Sequence, residues 1–291
     1  MFSWLAWAPY GASRAGVIDI VIPWELVLIG QFGPSVAALL FILNEQKLSG
    51  LYKFLRKSFQ FKINWKYYLF SILTVPAIAL LIILIYKIIG TESPGIQEFI
   101  KWPELYARDY GSGGPYTISG ELVPNIGFVE FVKGFINKGS FFAITVFVML
   151  GIITGPLSEE LGWRGYLLQR LLIKWGPLKS SILVGLLWGW WHTGPDFWQF
   201  IFEGQMSAFL YPLSITMGTL PLSILFTWLI LKAKASLIPV MLFHASFNST
   251  LYILNLVWTT QHPMILGGQM ILGLWIISIF ILFKSNVFKS N

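Results

Sequence analysis

SEELGWRGYLLQR, residues 158–170, follows directly on FFAITVFVMLGIITGPL, residues 141–157. The first stretch opens on two adjacent carboxylates, Glu159 and Glu160, and places Arg164 four residues after the second. The stretch before it is apolar enough to sit in lipid. Two readings compete for this junction. In one, the apolar helix ends at Pro156 and Ser158 caps a new interfacial helix whose first turn carries the acids. In the other, the helix continues past Pro156 to Arg170, and both acids lie below the inner membrane surface. The rest of the chain favours the second.

The chain has 291 residues, of which 56% are hydrophobic, 17% aromatic and only 11% charged. A soluble domain carries about 25% charged residues, so this is the composition of an integral membrane protein. There is no cysteine, which removes a disulfide framework, a thiolate metal site and a cysteine nucleophile. The net charge of +7 does not point to nucleic acid, because the basic residues fall in short clusters between apolar runs and read as topology signals.

A spanning helix needs about 20 mostly apolar residues, and the chain reads as an all-α polytopic membrane protein with about seven spans, near 24–43, 67–89, 140–160, 180–195, 210–231, 237–257 and 264–283. The connection 44–66 carries Lys47, Lys53, Arg56, Lys57, Lys62 and Lys66 against Glu45 alone. Basic residues also dominate 161–179, 232–236 and the tail, so these four segments are expected inside. The alternate connections 90–139 and 196–209 are acid-rich and are expected outside, which puts the N-terminus out and the C-terminus in. Within 90–139, Phe128, Phe131, Val132, Phe135 and Ile136 recur at helical spacing and predict an interfacial helix. The whole chain, 1–291, reads as one membrane domain with its motif core at about 140–257. No internal repeat of the kind found in many transporters is evident.

Ionisable residues at membrane depth are costly and point to function. At a rise of about 1.5 Å per residue, Glu159, His192 and Asn248 lie about 16–18 Å below the inner surface and His244 about 10 Å. His244 and Asn248 share a helix face at i, i+4, as do Glu160 and Arg164. The expected arrangement makes Glu160–Arg164 a neutralising pair and leaves Glu159 free to face the histidines. Trp188 and His192, also i, i+4, read as packing neighbours. A carboxylate and two imidazoles in a dry cavity suit general-base activation of water, with Asn248 and a histidine available to an oxyanion. Glu159, His192 and His244 are also a zinc-ligand combination with room for a water. The HExxH spacing and the G-x-S-x-G elbow are both absent.

Glu159-Glu160-xxx-Arg164, Trp188-xxx-His192 and His244-xxx-Asn248, in this order on separate hydrophobic helices, resemble the CAAX protease and bacteriocin-processing (CPBP, or Abi) family of intramembrane proteases. LIGQFGPSVAALL near 28–40 resembles the family's early span. The resemblance implies that Glu159 activates water, that His192, His244 and Asn248 complete the catalytic site, and that Glu160 and Arg164 organise the first motif. It implies a hydrolase acting on a membrane-associated or prenylated CAAX-type peptide, either with Zn2+ as a metalloprotease or without metal. Two departures stand out: Trp188 replaces the phenylalanine of the family's FxxxH motif, and SWLAWAP resembles the outer end of a family helix whose first part is missing, as in a truncated start. The expected partners are the lipid bilayer and a peptide or lipidated peptide, with no nucleic acid, and the expected location is the plasma membrane of a prokaryote. Rival functions are a non-catalytic bacteriocin-immunity or scaffold protein that keeps the fold, and a proton-coupled transporter.

Overall fold

The computed structural model describes residues 2–20, 22, 25–95, 153–202, 207–258 and 263–288. Among them the regular structure is helical throughout. The helices are α1 (Phe2–Arg14), α2 (Glu25–Gln31), α3 (Gly33–Ser58) and α4 (Trp65–Ile88). A helical run then passes through a π turn π1 (Ile153–Leu157), a short α5 (Ser158–Glu160), a second π segment π2 (Leu161–Leu167) and α6 (Leu168–His192). α7 (Gly194–Phe202), α8 (Ser207–Lys232), α9 (Ile238–Val257) and α10 (Pro263–Lys284) follow. The interfacial helix expected near residues 128–136, and the part of the third span before residue 153, lie outside the described residues, as does His262.

By length and composition, Trp65–Ile88, Gly155–His192, Pro212–Lys232 and Ile265–Lys284 can each cross a membrane. The chain is thus an all-α membrane protein; three of these stretches lie on the expected spans 67–89, 210–231 and 264–283, while Gly155–His192 runs from the end of the expected span 140–160 through the connection 161–179 into the span expected at 180–195. The other expected spans take different forms. The one at 24–43 breaks at Phe32 between α2 and α3, and α3 then runs on until Lys47 (φ 60°, ψ −168°) turns it. α9 is long enough to span, but His244, Ser246, Asn248, Ser249 and Thr250 dilute its apolar character.

Pro156 does not end its helix. It sits inside π1, and the run stays helical through both glutamates as far as Gly176, whose positive φ of 69° turns the chain ahead of Pro177. The π geometry has a local cause. Proline has no N–H to close the normal i→i−4 ladder, so the turn around it departs from regular α geometry. Leu157 O, the carbonyl after the proline, accepts a hydrogen bond from Ser35 Oγ of α3 at 2.9 Å. Gly162 presses onto the same helix, since a Cβ there would lie 2.4 Å from the Pro34 carbonyl carbon and oxygen. The acid-bearing segment is therefore seated directly on the N-terminal turn of α3.

α6 packs on α8 through small residues: Thr219 Oγ1 donates to Gly185 O (2.9 Å) and Ser223 Oγ to Ser181 O (2.8 Å). A Cβ at Gly189 would meet Thr216 Cα at 2.9 Å. Such close approach is what helix packing in lipid requires, where dispersion and interhelical hydrogen bonds replace the hydrophobic drive.

Two interior prolines stitch further pairs. Pro76 in α4 cannot donate to Ile72 O, and Ser246 Oγ of α9 does so instead at 2.9 Å. Pro221 in α8 likewise frees Met217 O, which accepts from Trp275 Nε1 of α10 at 2.9 Å. In lipid an uncovered carbonyl is costly, and neighbouring helices supply the missing donors.

Candidate active site

Four elements converge. α5 and π2 carry Glu159, Glu160 and Arg164; α6 carries Trp188 and His192 in its last turns; α9 carries His244 and Asn248. Glu159, Glu160, Arg164, Trp188 and His244 are all buried, at 4%, 0%, 0%, 1% and 3% exposure, and His192 is half-buried. Three charged groups this deep must be paired or hydrogen-bonded to persist.

Their pairing is specific. Arg164 Nη1 donates to Glu160 Oε1 at 3.1 Å, and the same oxygen lies 2.8 Å from His244 Nδ1. A carboxylate can only accept, so His244 Nδ1 carries the proton and a neutral ring offers its Nε2 lone pair. His192 Nδ1 lies 2.8 Å from the Trp188 carbonyl, which fixes the same tautomer, and its Nε2 stands 3.6 Å from Glu159 Oε2. That is too long for a hydrogen bond, yet short enough for both groups to reach one water. Trp188 Nε1 donates to Glu159 Oε2 at 2.6 Å. Its ring lies 3.9 Å under the Arg164 guanidinium and meets the His192 and His244 rings edge-on at 5.1 and 5.3 Å.

The Glu160–Arg164 pair has the expected partners, but the division of labour differs from the sequence reading. Glu159 was expected to stand without a local partner and face both histidines. Instead the histidines are shared out: His192 faces Glu159, and His244 is held by Glu160. π turns take more residues per turn than α-helix, so the azimuths of the two acids are not those an α-helical wheel gives. Asn248 is exposed, and its Nδ2 lies 3.2 Å from where a Cβ on Gly155 would stand. This places its amide one turn before Glu159. Trp188 is the participant that sequence reading missed. The signal was the exchange of phenylalanine for tryptophan, because a buried indole N–H needs an acceptor.

Zinc needs three such side chains at about 2.0–2.2 Å from one point. No group of three His, Asp or Glu side chains converges that way among the described residues. As arranged, Glu159, His192 and His244 do not fit the ion.

A polytopic helical membrane protein with a buried carboxylate–histidine site is the class that fold and geometry define. Residues 141–250, which hold the Glu159–Arg164, Trp188–His192 and His244–Asn248 motifs, match the family model described as Type II CAAX prenyl endopeptidase Rce1-like. CAAX prenyl protease 2 of Methanococcus maripaludis is 30% identical over 138 residues, 46% of this chain and 51% of the relative. The chain thus spans about half the length of the curated relative it matches.

Proposed function

We propose that the protein is an intramembrane endopeptidase that hydrolyses a peptide bond of a membrane-associated or prenylated, CAAX-type peptide. The observation that carries this reading is the buried Glu159 carboxylate with His192 Nε2 at 3.6 Å, inside the segment that matches CAAX prenyl endopeptidases. A water that gives one O–H to Glu159 and the other to His192 Nε2 turns a lone pair outward. As it attacks the scissile carbonyl carbon, its first proton passes to Glu159. The amide C–N bond then breaks, and Glu159 returns that proton to the leaving amine. The exposed Asn248 amide is the donor available to the carbonyl oxygen as its charge develops. Glu160 and Arg164 take no proton in this scheme. They hold His244 and the helix carrying Glu159 in register.

The test is turnover of prenylated CAAX-type peptides by protein reconstituted in liposomes. Glu159→Gln and His192→Ala should each lower kcat by about 10²–10⁴, the usual worth of a positioned general base. Cleavage unchanged by both substitutions rules out this site. A wild-type protein that cleaves no peptide of the library overturns the protease reading in favour of a binding or immunity role.

A further inference from the structure

Trp188 touches more of the site than any residue assigned to it, and it does so through chemistry that a plain aromatic lacks. The indole N–H is a donor and never an acceptor. Here it is spent on Glu159 Oε2 at 2.6 Å, the same oxygen that faces His192. The bond is charge-assisted and lies at the short end for such pairs. It anchors Oε2, the oxygen that stands 3.6 Å from His192 Nε2. The ring face meanwhile carries the Arg164 guanidinium at 3.9 Å, and Arg164 in turn holds Glu160. The Trp188 carbonyl fixes His192 Nδ1, but any residue at this position would supply that contact.

We propose that Trp188 is the positioning residue of the water-activating carboxylate, acting through its indole N–H on Glu159. The inference rests on the endopeptidase reading above. Its physical content is that the N–H, separately from the ring, holds Glu159 where a water can be shared with His192. Displacement of a general base by about 1 Å costs up to about a hundredfold in rate. Trp188 is 1% exposed and its N–H is spent on Glu159, so its loss should fall on kcat and leave KM in place.

The cleanest variant replaces Trp188 with 3-benzothienylalanine, whose sulfur stands where the N–H was. Ring area, the stacking on Arg164 and the backbone contact to His192 all remain. In the liposome assay, kcat should fall about ten- to a hundredfold with KM within about twofold, and Trp188→Phe should follow the same pattern. In an indole-15N NMR spectrum of wild type, the resonance lost in Trp188→Phe should lie downfield, and Glu159→Gln should move it upfield. Unchanged kcat in the benzothienyl variant overturns the positioning role while the endopeptidase reading stands. An indole resonance indifferent to Glu159→Gln also overturns it. Absence of wild-type turnover sinks the endopeptidase reading and this inference together.

Discussion

Arg164 has no exposed surface and carries a full charge among helices. One N–H is spent on Glu160, while Nε and Nη2 have no hydrogen-bond partner among the described residues. The guanidinium instead lies over two aromatic faces, Trp188 at 3.9 Å and Phe226 at 4.7 Å, where ring quadrupoles offset part of its lost hydration. Lysine would supply neither the flat stacking surface nor the fork. Arg164→Lys should therefore lower the detergent unfolding midpoint, and Glu160→Ala should do so more severely, by about 3–5 kcal/mol, because it strands a buried cation. Thermal or SDS unfolding followed by tryptophan fluorescence reads both. The Glu160–Arg164 pairing was legible in the sequence because i, i+4 contacts are local. The choice of His244 for Glu160 was not legible, since it depends on the azimuths that the π turns set and on the rotation of α9.

At the scale of the helices, close approach is set by residues without side chains. Gly162 lies against the Pro34 backbone, which cannot yield as a flexible side chain would. Gly162→Ala should cost about 1–3 kcal/mol as an overpacking change. It should also reduce activity out of proportion to stability, because the displaced segment carries both glutamates. Gly189→Val, pressed against Thr216 and Thr219, should separate α6 from α8 and lower the unfolding midpoint, with KM and kcat measured alongside to follow His192. Hydropathy located the four long apolar helices, because lipid demands a continuous apolar length. It did not reveal the break at Phe32, which depends on how α2 and α3 pack. The continuous helix through Pro156 was legible instead from the basic bias of the connections, which placed both acids below the inner surface.

For the molecule as a whole, the distribution of lysine and arginine predicts an N-terminus outside and a C-terminus inside. The chain contains no cysteine and is a ready background for single-cysteine mapping. Cysteine at Lys57 or Ser285 should react only with reagents that reach the inside, and cysteine at Glu92 only with those outside; the reverse pattern would invert the topology. The order of synthesis adds a constraint drawn from the prolines. Ile72 O waits for Ser246, and Met217 O waits for Trp275, so each donor is made long after its acceptor. α4 and α8 therefore enter the bilayer with a bare carbonyl apiece, and that of α8 stays open until α10 arrives. A chain stalled before α10 is left marked by an unpaired polar group in lipid, a defect that membrane quality control can read. Trp275→Phe should reproduce that mark in the full-length chain, seen as a shortened half-life in the cell.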